Sequence, residues 1–186
     1  MPLMLKRLLA ILSLLVVAPA PAALPQGARA PDFWTSGALG GRPFRLHLAE
    51  QLRRGPVVLY FYPRAFTEGC TLEARAFSEA APEFRRLGAR VIGLSADDQA
   101  TLQRFSVEAC RSAFPVAIAT PEIIDRYDVR LRPGAAMTNR TSFVIAPNGR
   151  IIAAYSNLDW REHVSRTMAA VRAWRAQQRR PARRRG

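Results

Sequence analysis

Pro63, Thr67 and Cys70 stand together where the hydrophobic period of the chain changes. Upstream, Val57-Val58-Leu59-Tyr60-Phe61 is uncharged, β-branched and aromatic, and Gly55 and Pro63 bound it, so it reads as a buried strand. Downstream, Leu72, Ala76, Ala80, Phe84 and Leu87 recur at steps of four or three, with Glu73, Arg75, Glu83, Arg85 and Arg86 off that stripe. This is an amphipathic helix, and Gly88 is placed to stop it. Cys70 therefore falls in or just before a first helical turn, where unpaired N–H groups and the helix dipole favour a negative charge. A thiolate is the nucleophilic form of cysteine. Thr67, three residues earlier, could aim its hydroxyl at the sulfur.

The rest of the chain supplies the frame for that junction. Ala30-Pro31-Asp32-Phe33 and the alternating segment from Ser36 to Leu48 turn at Gly40-Gly41 as a β-hairpin does. Arg90 to Ser95 is a second buried strand, Asp97-Asp98 can cap a helix, and Leu102, Phe105 and Ala109 give that helix one apolar face ending near Cys110 to Ala113. Pro115 to Thr120 is a third short strand, and Pro121 opens a helix to about Tyr127. Asp128 to Asn139 reads as a loop, Thr141 to Ala146 and Ile151 to Tyr155 flank the turn Pro147-Asn148-Gly149, and Val164, Met168, Val171 and Trp174 mark a last helix. Strands alternating with helices, then a terminal hairpin and helix, predict an α/β domain with a mixed central sheet.

Pro63-x-x-x-Thr67-x-x-Cys70, preceded by Val58-Leu59-Tyr60-Phe61-Tyr62 and followed by Thr71-x-Glu73-Ala74, resembles the active-site loop of the peroxiredoxins, nearest to the PrxQ or bacterioferritin comigratory protein branch. The resemblance runs from about Leu24 to about Trp174 and implies a thioredoxin-like fold with an N-terminal β-hairpin extension. It implies a thiol-dependent peroxidase that reduces hydrogen peroxide and organic hydroperoxides through a cysteine sulfenic acid, with no metal or organic cofactor and a thiol or thioredoxin-like reductant as partner. Cys70 is then the attacking sulfur, Pro63 its shield, and Thr67 and the backbone near Gly69 donors to the peroxide. Arg140, in Asn139-Arg140-Thr141-Ser142-Phe143-Val144-Ile145, matches the arginine that precedes a late strand in the family. Glu73 matches a Glu or Gln common in the branch, and an acid in a first helical turn is also a natural cap.

Two departures accompany the resemblance. Glu68 stands beside Gly69 where proline or a small residue is commoner, and Arg75 occupies the position of the resolving cysteine that many PrxQ proteins carry five residues after the first. Cys110, the only other thiol, is the candidate resolving residue; its flank position on the helix predicts partial exposure. A bridge to Cys70 needs their Cα atoms within about 7 Å. The alternative is a spare thiol, with an external reductant resolving Cys70.

Three segments follow from charge and hydropathy. A start carrying Lys6 and Arg7, an apolar run from Leu8 to Ala18 and small residues to Ala23 make residues 1–23 a signal peptide, cleaved near Ala20 or Ala23. The apolar run is well short of the ~20 residues that span a bilayer, so export to the periplasm or outside is expected, with no stable membrane insertion after cleavage. Residues 24–176 form the domain. Residues 177–186 are a basic tail expected to be disordered, and seven arginines from Arg172 onward supply half of the net charge of +14. With no aromatic residue after Trp174 to stack on bases, nucleic acid is not an expected partner. A monomer or weak dimer is expected.

The rival classes are specific. A thiol–disulfide oxidoreductase needs Cys-x-x-Cys, and Glu73 stands three residues after Cys70. A redox-inert binding or holdase module would use the scaffold and the basic tail alone. His47 and His163 have no ligand spacing with Cys or Asp, so no metal site is expected and both read as surface residues.

Overall fold

The computed structural model describes residues 23–179, so the leader, apart from its last residue, and the chain from residue 180 on lie outside the described residues. Among the described residues seven strands form one mixed sheet. Strand β3 (Val57–Phe61) is central, parallel to β4 (Arg90–Ser95) on one side and antiparallel to β6 (Thr141–Ile145) on the other. Beyond β4 comes β5 (Val116–Ile118), then the hairpin of β1 (Trp34–Leu39) and β2 (Arg42–His47); β7 (Ile151–Ser156) closes the other edge. Gly40 and Gly41 both take positive φ, +56° and +77°, which is what a two-residue turn matched to strand twist requires.

The period-2 alternation of β3 divides the core. Val58, Tyr60 and Tyr62 face one layer with α2 (Glu68–Arg86), α3 (Gln99–Glu108) and α5 (His163–Arg179). Val57, Leu59 and Phe61 face the other, with the short α1 (Leu48–Leu52) and α4 (Pro121–Tyr127). All five residues of β3 are buried, as a strand covered on both faces demands. The mixed sheet between two helical layers, with its N-terminal hairpin, is the thioredoxin-like architecture expected of the sequence.

Some local readings shift. The buried face of α2 is Cys70, Glu73, Ala74, Phe77, Ser78, Ala81 and Phe84, whereas Leu72 is 37% exposed. Apolar spacing alone permitted two neighbouring stripes, and the layer of Tyr60, stacked on Phe77 at 4.4 Å, selects the one carrying Cys70. Helix α3 ends at Glu108, and Cys110 is fully buried rather than partly exposed. It sits in a tight turn after α3, before Arg111 and Ser112, both at positive φ. Helix α5 continues through Arg179, into the segment assigned to the tail.

Candidate active site

Strand register brings the parts of the site together. Phe61, last in β3, pairs with Thr141, first in β6, so Arg140 arrives beside the chain leaving β3 for α2. Thr138 adds a buried bond, its hydroxyl donating to the Tyr62 carbonyl at 2.8 Å. The loop is held from the other side: the Ala65 N–H donates to Asp97 Oδ2 at 2.7 Å, and the Ser95 hydroxyl donates to the same oxygen. Phe66, at φ +63°, rests edge-on against Phe105 under the Arg104 guanidinium.

Thr67 is the N-cap of α2, and the first helical bond runs from the Thr71 N–H to the Thr67 carbonyl at 2.9 Å. The N–H groups of Glu68, Gly69 and Cys70 precede that bond and have no carbonyl one turn back within the helix. Cys70 is 1% exposed at this helix mouth. The Thr67 hydroxyl does not bond the sulfur; it donates to the Arg64 carbonyl at 3.0 Å. Glu68 is exposed, and Pro63 is half-buried at the start of the loop.

Arg140 is 5% exposed and makes three directed contacts. Nη2 donates to Cys70 Sγ at 3.4 Å, Nη1 donates to the Glu73 carboxyl, and Nε donates to the Leu158 carbonyl at 2.8 Å. A side chain on Gly69 would stand against this group: its Cβ would lie 3.4 Å from Arg140 Nη2 and 3.7 Å from Trp160 Cδ1. One guanidinium thus serves two groups that can each be an anion, Cys70 and Glu73.

Glu73 was expected off the apolar face, and the structure buries it completely. Burial pushes its carboxyl up to about 8, against the pull of the Arg140 charge and hydrogen bond. Burial thus favours the protonated carboxyl, and the Arg140 contact favours the charged one. The Arg140 guanidinium is itself held above its ordinary value by Glu73 and Cys70, against its own burial.

Both histidines depart from the surface reading. His47 is half-buried, stacked on Trp34 at 4.0 Å and 2.8 Å from Asp32 Oδ2. His163 is fully buried on the far side of Glu73, with Nδ1 3.8 Å from Glu73 Oε1. It opens α5, and an isolated histidine before an apolar stripe carries no local sign of depth. Among the described residues no group of His, Cys, Asp or Glu could hold a metal ion. None of the described helices is long and apolar enough to cross a membrane.

Cys110 lies in the same core layer as Cys70, and burial raises its thiol well above the ordinary range. The two cysteines are free, not bridged.

Residues 26–154 match the AhpC/TSA family. The chloroplastic peroxiredoxin Q of Arabidopsis thaliana is 32% identical over 152 residues, 80% of this chain and 67% of that protein. Peroxiredoxin Bcp of Xanthomonas campestris pv. campestris is 29% identical over 123 residues, 63% of this chain and 76% of that one. The crystal structure of peroxidoxin BcpB from Mycobacterium tuberculosis has a TM-score of 0.70 at 31% identity, covering 80% of this chain and 96% of that one. With the family match running from ahead of β1 into β7, the chain belongs to the AhpC/TSA family, among relatives named peroxiredoxin Q and Bcp.

Proposed function

We propose that Cys70 carries the thiol-dependent peroxidase activity of this family, with Arg140 as the charge that prepares the sulfur and meets the oxygen it displaces. The observation that carries this reading is the 3.4 Å contact from Arg140 Nη2 to Cys70 Sγ at the mouth of α2. The thiolate attacks one peroxide oxygen, the O–O bond breaks, and the sulfur becomes sulfenic acid. The displaced oxygen leaves as hydroxide or alkoxide and takes a proton to give water or an alcohol. The free N–H groups of Gly69 and Cys70 and the Arg140 guanidinium are the donors for the two oxygens. Thr67 stands at the N-cap position of α2 without a side-chain capping bond and, with its hydroxyl on the Arg64 carbonyl, braces the loop; turning that hydroxyl toward a bound peroxide needs a rotation about one bond. Pro63 keeps bulk water off the sulfur.

An external thiol then attacks the sulfenic sulfur and releases water, and a second thiol frees Cys70 as the reductant becomes a disulfide. The burial of Cys110 supports this route: resolution by Cys110 would require opening both the first turn of α2 and the turn after α3. Peroxide consumption driven by dithiothreitol, or by thioredoxin with its reductase, tests the activity. Wild type consumes peroxide and Cys70→Ser does not; equal rates would remove the peroxidase and revive the redox-inert reading.

Residues 1–23 direct export in this proposal, and the mature protein begins near Leu24. Supporting that boundary, the Leu24 N–H donates to the Tyr127 carbonyl and the Gly27 N–H to the Ile151 carbonyl, so the fold holds the chain from there on. N-terminal sequencing of protein recovered from the periplasm tests it, and an intact Met1 there would contradict it.

A further inference from the structure

His163 is the one fully buried histidine among the described residues, and its bonds lead back to the reacting sulfur. Its Nε2 lies 2.9 Å from the Asn157 carbonyl, which can only accept, so Nε2 carries the proton. Nδ1 is then an acceptor, filled by the Ser142 hydroxyl at 2.8 Å. The segment His163 grips, between β7 and the 3₁₀ turn Trp160–Glu162, is the one that holds Arg140. The Asn157 N–H donates to the Arg140 carbonyl at 3.1 Å, and the next carbonyl, that of Leu158, receives Arg140 Nε at 2.8 Å. From the same guanidinium Nη2 reaches Cys70.

We propose that His163 is a positioning residue for the reaction at Cys70: by fixing the Asn157–Leu158 segment it sets the carbonyl on which the Arg140 guanidinium is aligned. The inference rests on the reading that Arg140 serves Cys70 and extends it to a residue that touches neither sulfur nor peroxide. Asn157 and Leu158 are themselves exposed, and beside the Asn157 N–H on the Arg140 carbonyl the segment needs a second inward anchor to keep the Leu158 carbonyl from swinging toward water. His163 supplies that anchor from the start of α5, its ring braced at 4.7 Å by Tyr155. Arg140, Glu73, Asp159 and Arg166 are the charged groups around the ring. Burial lowers its basicity to about 4, so the neutral tautomer and its two bonds persist across physiological pH. The bracket is fixed rather than switched.

Side-chain replacements separate this role from simple packing. Gln places an amide N–H near the position of Nε2 and keeps the bond to Asn157. Asn reaches only as far as Nδ1, and Phe fills the space without a donor. The rate of Cys70 oxidation by hydrogen peroxide, followed by stopped-flow fluorescence, should fall about tenfold or more in His163→Phe and His163→Asn. In His163→Gln it should stay within about threefold of wild type, with melting temperatures recorded for all three. Two losing variants of opposite polarity keep the comparison if one does not fold. Equal rates in Phe, Asn and wild type would overturn the inference while leaving the peroxidase standing, as would equal losses in Gln and Phe. A wild type inert to peroxide would overturn both.

Discussion

Arg140 points one guanidinium nitrogen at the Cys70 sulfur, 3.4 Å away, from a position set by the register of β6 on β3. A second nitrogen of the same group meets the buried Glu73 carboxyl. A planar fork can serve both partners at once, whereas a lysine ammonium is a single point charge on a flexible stem. Arg140→Lys should therefore slow Cys70 oxidation by about 10²-fold, read as the second-order rate constant with hydrogen peroxide. A rate within a few fold of wild type would show that the fork is not needed.

The buried carboxyl has a consequence for stability. Glu73 keeps its proton to about pH 8 in the fold, whereas a solvated glutamate releases it near 4.5. The folded state binds more protons between those values, so this contribution is full below pH 4.5 and is lost as pH rises to 8. His163 acts in the opposite sense. Lowered to about 4 from 6.5, it contributes stability above pH 6.5 that is lost as pH falls toward 4. The two oppose one another between pH 4.5 and 6.5, and above 6.5 only Glu73 changes. Urea unfolding of wild type should thus weaken by about 1–2 kcal/mol from pH 6.5 to 8. Glu73→Gln should remove that decline; an identical decline in the variant would mean that Glu73 is ionised throughout.

Burial makes the two thiols chemically unequal in different ways. Cys70 lies where a loop meets the mouth of α2, the kind of junction that opens locally at low cost, while Cys110 is buried in the turn after α3 in apolar core. Brief iodoacetamide treatment of the native protein should label Cys70 and spare Cys110, and both should react in denaturant, as peptide mass spectrometry can show. Fast native labelling of Cys110 would mean that its turn opens readily and would restore it as a resolving thiol.

Gly69 leaves room where a side chain would meet Arg140 and Trp160. Gly69→Ala should fold, since alanine favours helix more than glycine does. It should lower the rate with a bulky hydroperoxide such as cumene hydroperoxide about tenfold more than the rate with hydrogen peroxide. Equal effects on both substrates would place the peroxide approach elsewhere.

Much of this was legible in the sequence because the signals were local. The run Val57 to Phe61, the Gly40-Gly41 turn, the Pro147-Asn148-Gly149 turn and Pro121 each fix structure within a few residues, and the elements follow them. Arg140 could be picked out of so many arginines only through the family resemblance, because its meeting with Cys70 depends on how β6 registers on β3. Glu73 and His163 were misread for the same reason. A charged residue beside an apolar stripe reads as solvated, and a lone histidine reads as surface, until a buried partner from another element supplies the compensation. Glu73 finds Arg140, and His163 finds Ser142 and the Asn157 carbonyl.

The most direct test of a peroxidatic Cys70 is intact-protein and peptide mass spectrometry after one equivalent of hydrogen peroxide, with dimedone present to trap sulfenic acid. The expected product is a single dimedone adduct on the peptide containing Cys70, with Cys110 still a free thiol. An unmodified Cys70, or an adduct found only on Cys110, would contradict it.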